Sequence, residues 1–88
     1  MKVLIIYRPD SEHARKVDEF VHEFKRLHPG PKVDLLSLNT RDGAAMASIY
    51  DIVQYPAILA LAIDGQVLNA WQGEQLPLMN EVAAYAAS

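Results

Sequence analysis

Tyr55–Trp71 reads YPAILALAIDGQVLNAW, and the fold turns on this stretch. Ala57–Ile63 is a continuous apolar run, too short for a typical helix and suited to a strand in the middle of a sheet. Asp64-Gly65 is a two-residue hairpin signal, since glycine accepts the positive φ that tight turns demand. The chain then returns through Gln66–Trp71 as an antiparallel strand. Pro56 stands at the start of the first of these strands, and Gly73 punctuates the end of the second.

Upstream, Arg41–Asp51 is expected as a short helix behind an Asn39-Thr40 cap, with Ala44, Ala45, Met46, Ile49 and Tyr50 offered for burial. Val33–Leu38 precedes it as a strand. Before that, Ala14, Val17, Phe20, Val21, Phe24 and Leu27 recur at spacings of three and four, the apolar stripe of an amphipathic helix. Asp10 or Ser11 is expected to cap this helix, Glu12 and Lys16 to pair along it, and His28-Pro29-Gly30-Pro31 to end it. Val3–Ile6 is a short apolar run of the kind found in strands covered on both faces. Downstream, Pro77 suits the first turn of a final helix with Leu78, Met79, Val82 and Tyr85 on its inner face. The order is β-α-β-α-β-β-α, an α/β fold in which a four-stranded mixed sheet is flanked by helices, as a single domain over 1–88.

The chain has 88 residues, 51% hydrophobic and 22% charged, the balance of a soluble globular protein. Its formal charge of −3 argues against nucleic-acid binding, which needs a clustered basic surface. All eight Lys and Arg lie between Lys2 and Arg41, so the first half is positively tilted and the second wholly anionic. No apolar run approaches the roughly 20 residues of a membrane-spanning helix. No membrane association is expected, and a cytoplasmic location is. Cysteine is absent, which removes disulfides, thiolate metal sites and every thiol-based redox mechanism.

The element order, with a proline at the start of the third strand, resembles the thioredoxin and glutaredoxin superfamily over nearly the whole chain. Val3–Pro9 is similar to the first strand of a glutaredoxin and the turn before its active-site motif. Ala45–Ala57, AMASIYDIVQYPA, is similar to the thioredoxin stretch that ends in the cis-proline, which implies a cis peptide at Tyr55-Pro56. Asp64–Val67 resembles the family's hairpin. Where the family carries C-x-x-C at the start of its first helix, this chain reads Ser11-Glu12-His13-Ala14. Ser11 stands at the nucleophile position and Ala14 at the resolving one. A serine hydroxyl is not ionised near neutral pH and forms no disulfide, so thiol–disulfide exchange is excluded on chemical grounds.

The resemblance therefore implies a redox-inactive domain that binds a peptide or protein partner in the groove beside the cis-proline, through Tyr55 and Pro56. Ser11, Glu12 and His13 would border that groove, with Tyr7 and Trp71 as flanking positions. The alternative is a non-covalent glutathione or thiol-ligand site, or a transferase-like enzyme, that uses Ser11. Asp10, Ser11 and His13 on one helical turn do not make a hydrolytic triad, whose members come from separated segments. No metal site is expected, since His13, His22 and His28 point in different directions on a helix of 3.6 residues per turn. No cofactor is expected either. The final helix, with Glu81 as its only charge, is a candidate surface for a homo-oligomer or a partner.

Overall fold

Val3–Ile6 lies in a strand covered on both sides, and all four residues are buried. The computed structural model describes residues 1–87, with side chains as far as Tyr85. The elements are β1 (Lys2–Tyr7), α1 (Ala14–Leu27), β2 (Lys32–Ser37), α2 (Arg41–Ile49), β3 (Ala57–Leu61), β4 (Val67–Gln72) and α3 (Met79–Ala83), which continues as a 3-10 helix over Ala84–Ala87. The sheet order is β2-β1-β3-β4. β1 runs parallel to β2 and antiparallel to β3, and β3 pairs antiparallel with β4, so the sheet is mixed as expected. Among the described residues no helix is long and apolar enough to cross a membrane.

The period of two along β1 divides the core into layers. Val3 and Ile5 join Ile58 under Val17, Phe20, Val21 and Phe24 of α1 and Val82 of α3. Leu4 and Ile6 join Leu59 and Leu61 on the opposite face, under Ala47 of α2 and Ile52. β3 is buried at all five positions, as its continuous apolar sequence requires.

Four local expectations are corrected. First, α1 begins at Ala14 with His13 at its N-cap, and neither Asp10 nor Ser11 caps it. Pro9 pre-sets a tight turn in which the Ser11 N–H bonds the Arg8 carbonyl, and the Ser11 hydroxyl donates to that same oxygen at 2.6 Å. Among the described residues no helix N–H donates to this hydroxyl. Second, α2 has the expected Thr40 cap, with Thr40 Oγ1 accepting from the Gly43 N–H, but it buries a different face. Gly43 and Ala47 are buried, Met46 and Tyr50 half-buried, and Ala44, Ala45 and Ile49 exposed. Third, the hairpin loop has three residues. The Ala62 N–H bonds the Gln66 carbonyl, the Gly65 N–H bonds the Ala62 carbonyl, and Gly65 takes φ +90° to close the loop. Fourth, Pro77 precedes the N-cap of α3, Leu78, which is 65% exposed and so lies off the inner face.

α2 ends in a Schellman motif: the Ile52 N–H returns to the Ala47 carbonyl at 2.8 Å and the Asp51 N–H to Ser48 at 3.3 Å. Asp51 therefore sits in the left-handed region at φ 56°. A side chain there costs about 1 kcal/mol that glycine avoids. Asp51→Gly is expected to stabilise the fold by roughly that amount, read as a higher urea midpoint at unchanged slope.

Candidate functional site

β1 delivers the chain to Arg8, and the Pro9 turn folds it back before α1 starts. Two site residues hold this turn. The Ser11 hydroxyl takes the Arg8 carbonyl, and the Arg8 N–H donates to His13 Nε2 at 3.3 Å. Ser11 and His13 thus bond to the C=O and the N–H of one residue, Arg8, and not to each other. Among the described residues no hydrogen bond links them, so the nucleophile–base contact that hydrolytic chemistry requires is not made. Ser11, Glu12 and His13 line a hollow of about 470 Å³ together with Lys16 and Glu74. Glu12 lies before the helix, and the ion pairs along α1 are Arg15–Glu19 at 3.5 Å and Glu23–Arg26 at 2.6 Å rather than Glu12–Lys16. Ala14 is the first residue of α1 and does not line the hollow.

The second part of the site is the loop between α2 and β3. The Tyr55-Pro56 peptide is cis. Gln72, the last residue of β4, holds this loop through Oε1, which accepts from the Val53 N–H at 3.0 Å and the Gln54 N–H at 3.2 Å. The Pro56 carbonyl accepts from the Gly73 N–H at 3.1 Å. Gly73 has φ +110°, a backbone conformation that side chains rarely adopt, so the turn at the end of β4 needs glycine. The Tyr55 hydroxyl donates to the Ile52 carbonyl at 3.2 Å. Among the described residues, neither the N–H nor the C=O of Tyr55 has a hydrogen-bond partner.

Arg8 joins the two parts. Its guanidinium carbon lies 5.6 Å from the centroid of the Tyr55 ring, within cation–π range, so the Pro9 turn and the cis-proline loop are neighbours. Arg8, Gln72, Lys16 and Glu74 were not expected at the site from the sequence. The position of Arg8, a cation just past the end of a buried strand, is the signal by which it could have been found. Tyr7 and Trp71 are half-buried and pack on the α1-side core, and Trp71 meets Tyr85 edge-on at 5.8 Å. Neither lines the hollow. No group of three or more His, Cys, Asp or Glu that could hold a metal occurs among the described residues. Another concavity, of about 540 Å³, lies away from this site, on the α2 side of the sheet.

Neither a protein-family model nor a curated protein matches the chain. Among solved structures, it is similar to the germline-specific thioredoxin Deadhead of Drosophila melanogaster, at a TM-score of 0.68 and 15% identity, over 97% of this chain and 76% of that one. Element order, sheet topology, the cis-proline loop and this match agree: the chain has the thioredoxin-like fold, and it has no cysteine with which to perform thioredoxin chemistry.

Proposed function

We propose that the domain binds an extended peptide segment of a protein partner along the Tyr55–Pro56 edge, by main-chain pairing and without covalent turnover. One observation carries this reading. Tyr55 presents an unpaired N–H and C=O on a loop held by Gln72 and Gly73. An N–H and a C=O without a protein partner on a held loop are the groups to which an extended peptide pairs, and it satisfies both without rearranging the loop. The Arg8 guanidinium beside the Tyr55 ring and Val53, 78% exposed two residues earlier, supply contacts for the ligand's side chains. The hollow between Ser11, His13 and Glu74 lets the ligand continue past the start of α1. The alternative, a thiol ligand such as glutathione held by Ser11, has less support, because the Ser11 hydroxyl proton is given to the Arg8 carbonyl.

Selection of random displayed dodecapeptides on the immobilised domain tests the proposal. Enriched peptides are expected to bind several-fold more weakly to Arg8→Ala, in line with a contact of about 0.5–1 kcal/mol, and to lose most of their affinity for Val53→Asp. A selection that enriches nothing, or peptides indifferent to both substitutions, overturns it.

A further inference from the structure

The sheet has two edge strands, β2 and β4, and they are finished differently. On β4, Gly73 pairs inward with Pro56, so the antiparallel alternation sends the Ala70 N–H outward. The chain satisfies that group itself. Asn69 Oδ1 accepts from the Ala70 N–H at 2.8 Å, and Asn69 Nδ2 donates to the Tyr85 hydroxyl at 2.7 Å. A register shift beside Ala60 and Leu61 further disrupts that end of the ladder. β2 has no comparable device. The Lys32 N–H bonds the Met1 carbonyl and the Leu38 N–H bonds the Tyr7 carbonyl, so the even-numbered residues of β2 face β1. Val33 and Leu35 therefore direct their N–H and C=O groups outward, where no strand lies, and these groups have no partner among the described residues.

The charges along this open edge are self-complementary. Lys32 and Asp34 are two residues apart, on the face of β2 that also carries Leu36. Asp34 Oδ2 accepts from Lys2 Nζ at 2.7 Å, leaving Oδ1 for another cation. The Lys2 ammonium holds the Asp34 carboxyl below the usual carboxylate range, so it is charged at neutral pH. Lys32 has no ion-pair partner among the described residues. When a second β2 is laid antiparallel about Val33, Val33 faces Val33 as a doubly hydrogen-bonded pair. Lys32 then faces Asp34 twice, and each Leu35 N–H meets a Pro31 carbonyl. Sliding the copy so that Val33 faces Leu35 brings Asp34 against Asp34, which like-charge repulsion disfavours.

We propose that β2 is a homodimerisation edge, across which two copies of this chain pair antiparallel about Val33 into one continuous sheet. Sedimentation velocity over a concentration series tests it directly. The wild type is expected to pass from monomer to dimer. Lys32→Glu sets Glu against Asp34, and Asp34→Lys sets Lys against Lys32, so each variant alone is expected to associate at least about tenfold more weakly. An equimolar mixture of the two restores both opposite-charge pairs and is expected to recover a heterodimer. That recovery also shows that both variants are folded. A wild type that stays monomeric to millimolar concentration overturns the proposal. A dimer indifferent to both substitutions, or a mixture that fails to associate, does the same.

Discussion

Phe24→Ala is expected to lower the unfolding free energy by about 3–5 kcal/mol, the range for truncating a fully buried aromatic. Phe24 is 1% exposed, stacks on Phe20 with ring centroids 5.9 Å apart, and meets the His28 ring at 5.2 Å. Its side chain joins α1 to Val3, Ile5 and Ile58 of the sheet in one cluster. A chain of this length has about 4–13 kcal/mol of stability in all, so this single change removes a large share of it. Urea unfolding followed by far-ultraviolet circular dichroism measures the loss. Leu27→Ala, at the 51% exposed end of the same stripe, is the comparison and is expected to cost under about 1 kcal/mol. Equal losses at the two positions would contradict the packing described above.

Gly43→Ala is the second large effect, and its sign is the informative part. In an unconstrained helix this substitution gains up to about 1 kcal/mol, because alanine is the better helix former. Here the new Cβ would stand 1.9 Å from the Ser37 carbonyl oxygen and 2.7 Å from its carbon, both backbone atoms at the end of β2. α2 must then lift off the sheet, which disturbs the Thr40 cap and uncovers Leu4 and Ile6. The expected cost is about 3 kcal/mol, at the upper end of overpacking effects. A variant as stable as the wild type would show that α2 does not approach β2 this closely.

Gly43 also shows where sequence reading fails. The stripe on α1 was legible because Val17, Phe20, Val21 and Phe24 are large and follow the helical period. β3 was legible because its apolar run is too short for anything else. In α2 the run Ala44–Ala47 offers small residues on several sides, so size could not identify the buried face. The close approach at Gly43 decided it instead. Ser11 was ambiguous for another reason: a hydroxyl can accept from a helix N–H, donate to a preceding carbonyl, or do both, and here it donates to Arg8 with no cap bond to α1. The hairpin was placed correctly but one loop residue short, since Ala62 and Gln66 pair only through the backbone.

The site was legible in outline and not in its connections. The resemblance supplied Tyr55-Pro56 and the Ser11–Ala14 stretch, and the cis peptide is present. The contact between Arg8 and Tyr55, and the Gln72 anchor, bring together residues far apart in the chain with no shared pattern. The unpaired main-chain groups of Tyr55 are not a property of any side chain, so no residue type announces them. The absence of cysteine, by contrast, is a statement of sequence alone, and the structure gives it its meaning by placing Ser11 in a turn where its hydroxyl is a structural donor.

The central proposal is that the Tyr55–Pro56 edge binds an extended peptide. An amide-shift titration of the isotope-labelled domain with a selected dodecapeptide, run beside one with glutathione, tests it most directly. Saturable shifts at Arg8, Ser11, His13 and Tyr55 are expected with the peptide, and none with glutathione. Shifts at Ser11 and Tyr55 with glutathione alone, or peptide shifts confined to another surface of the sheet, would contradict it.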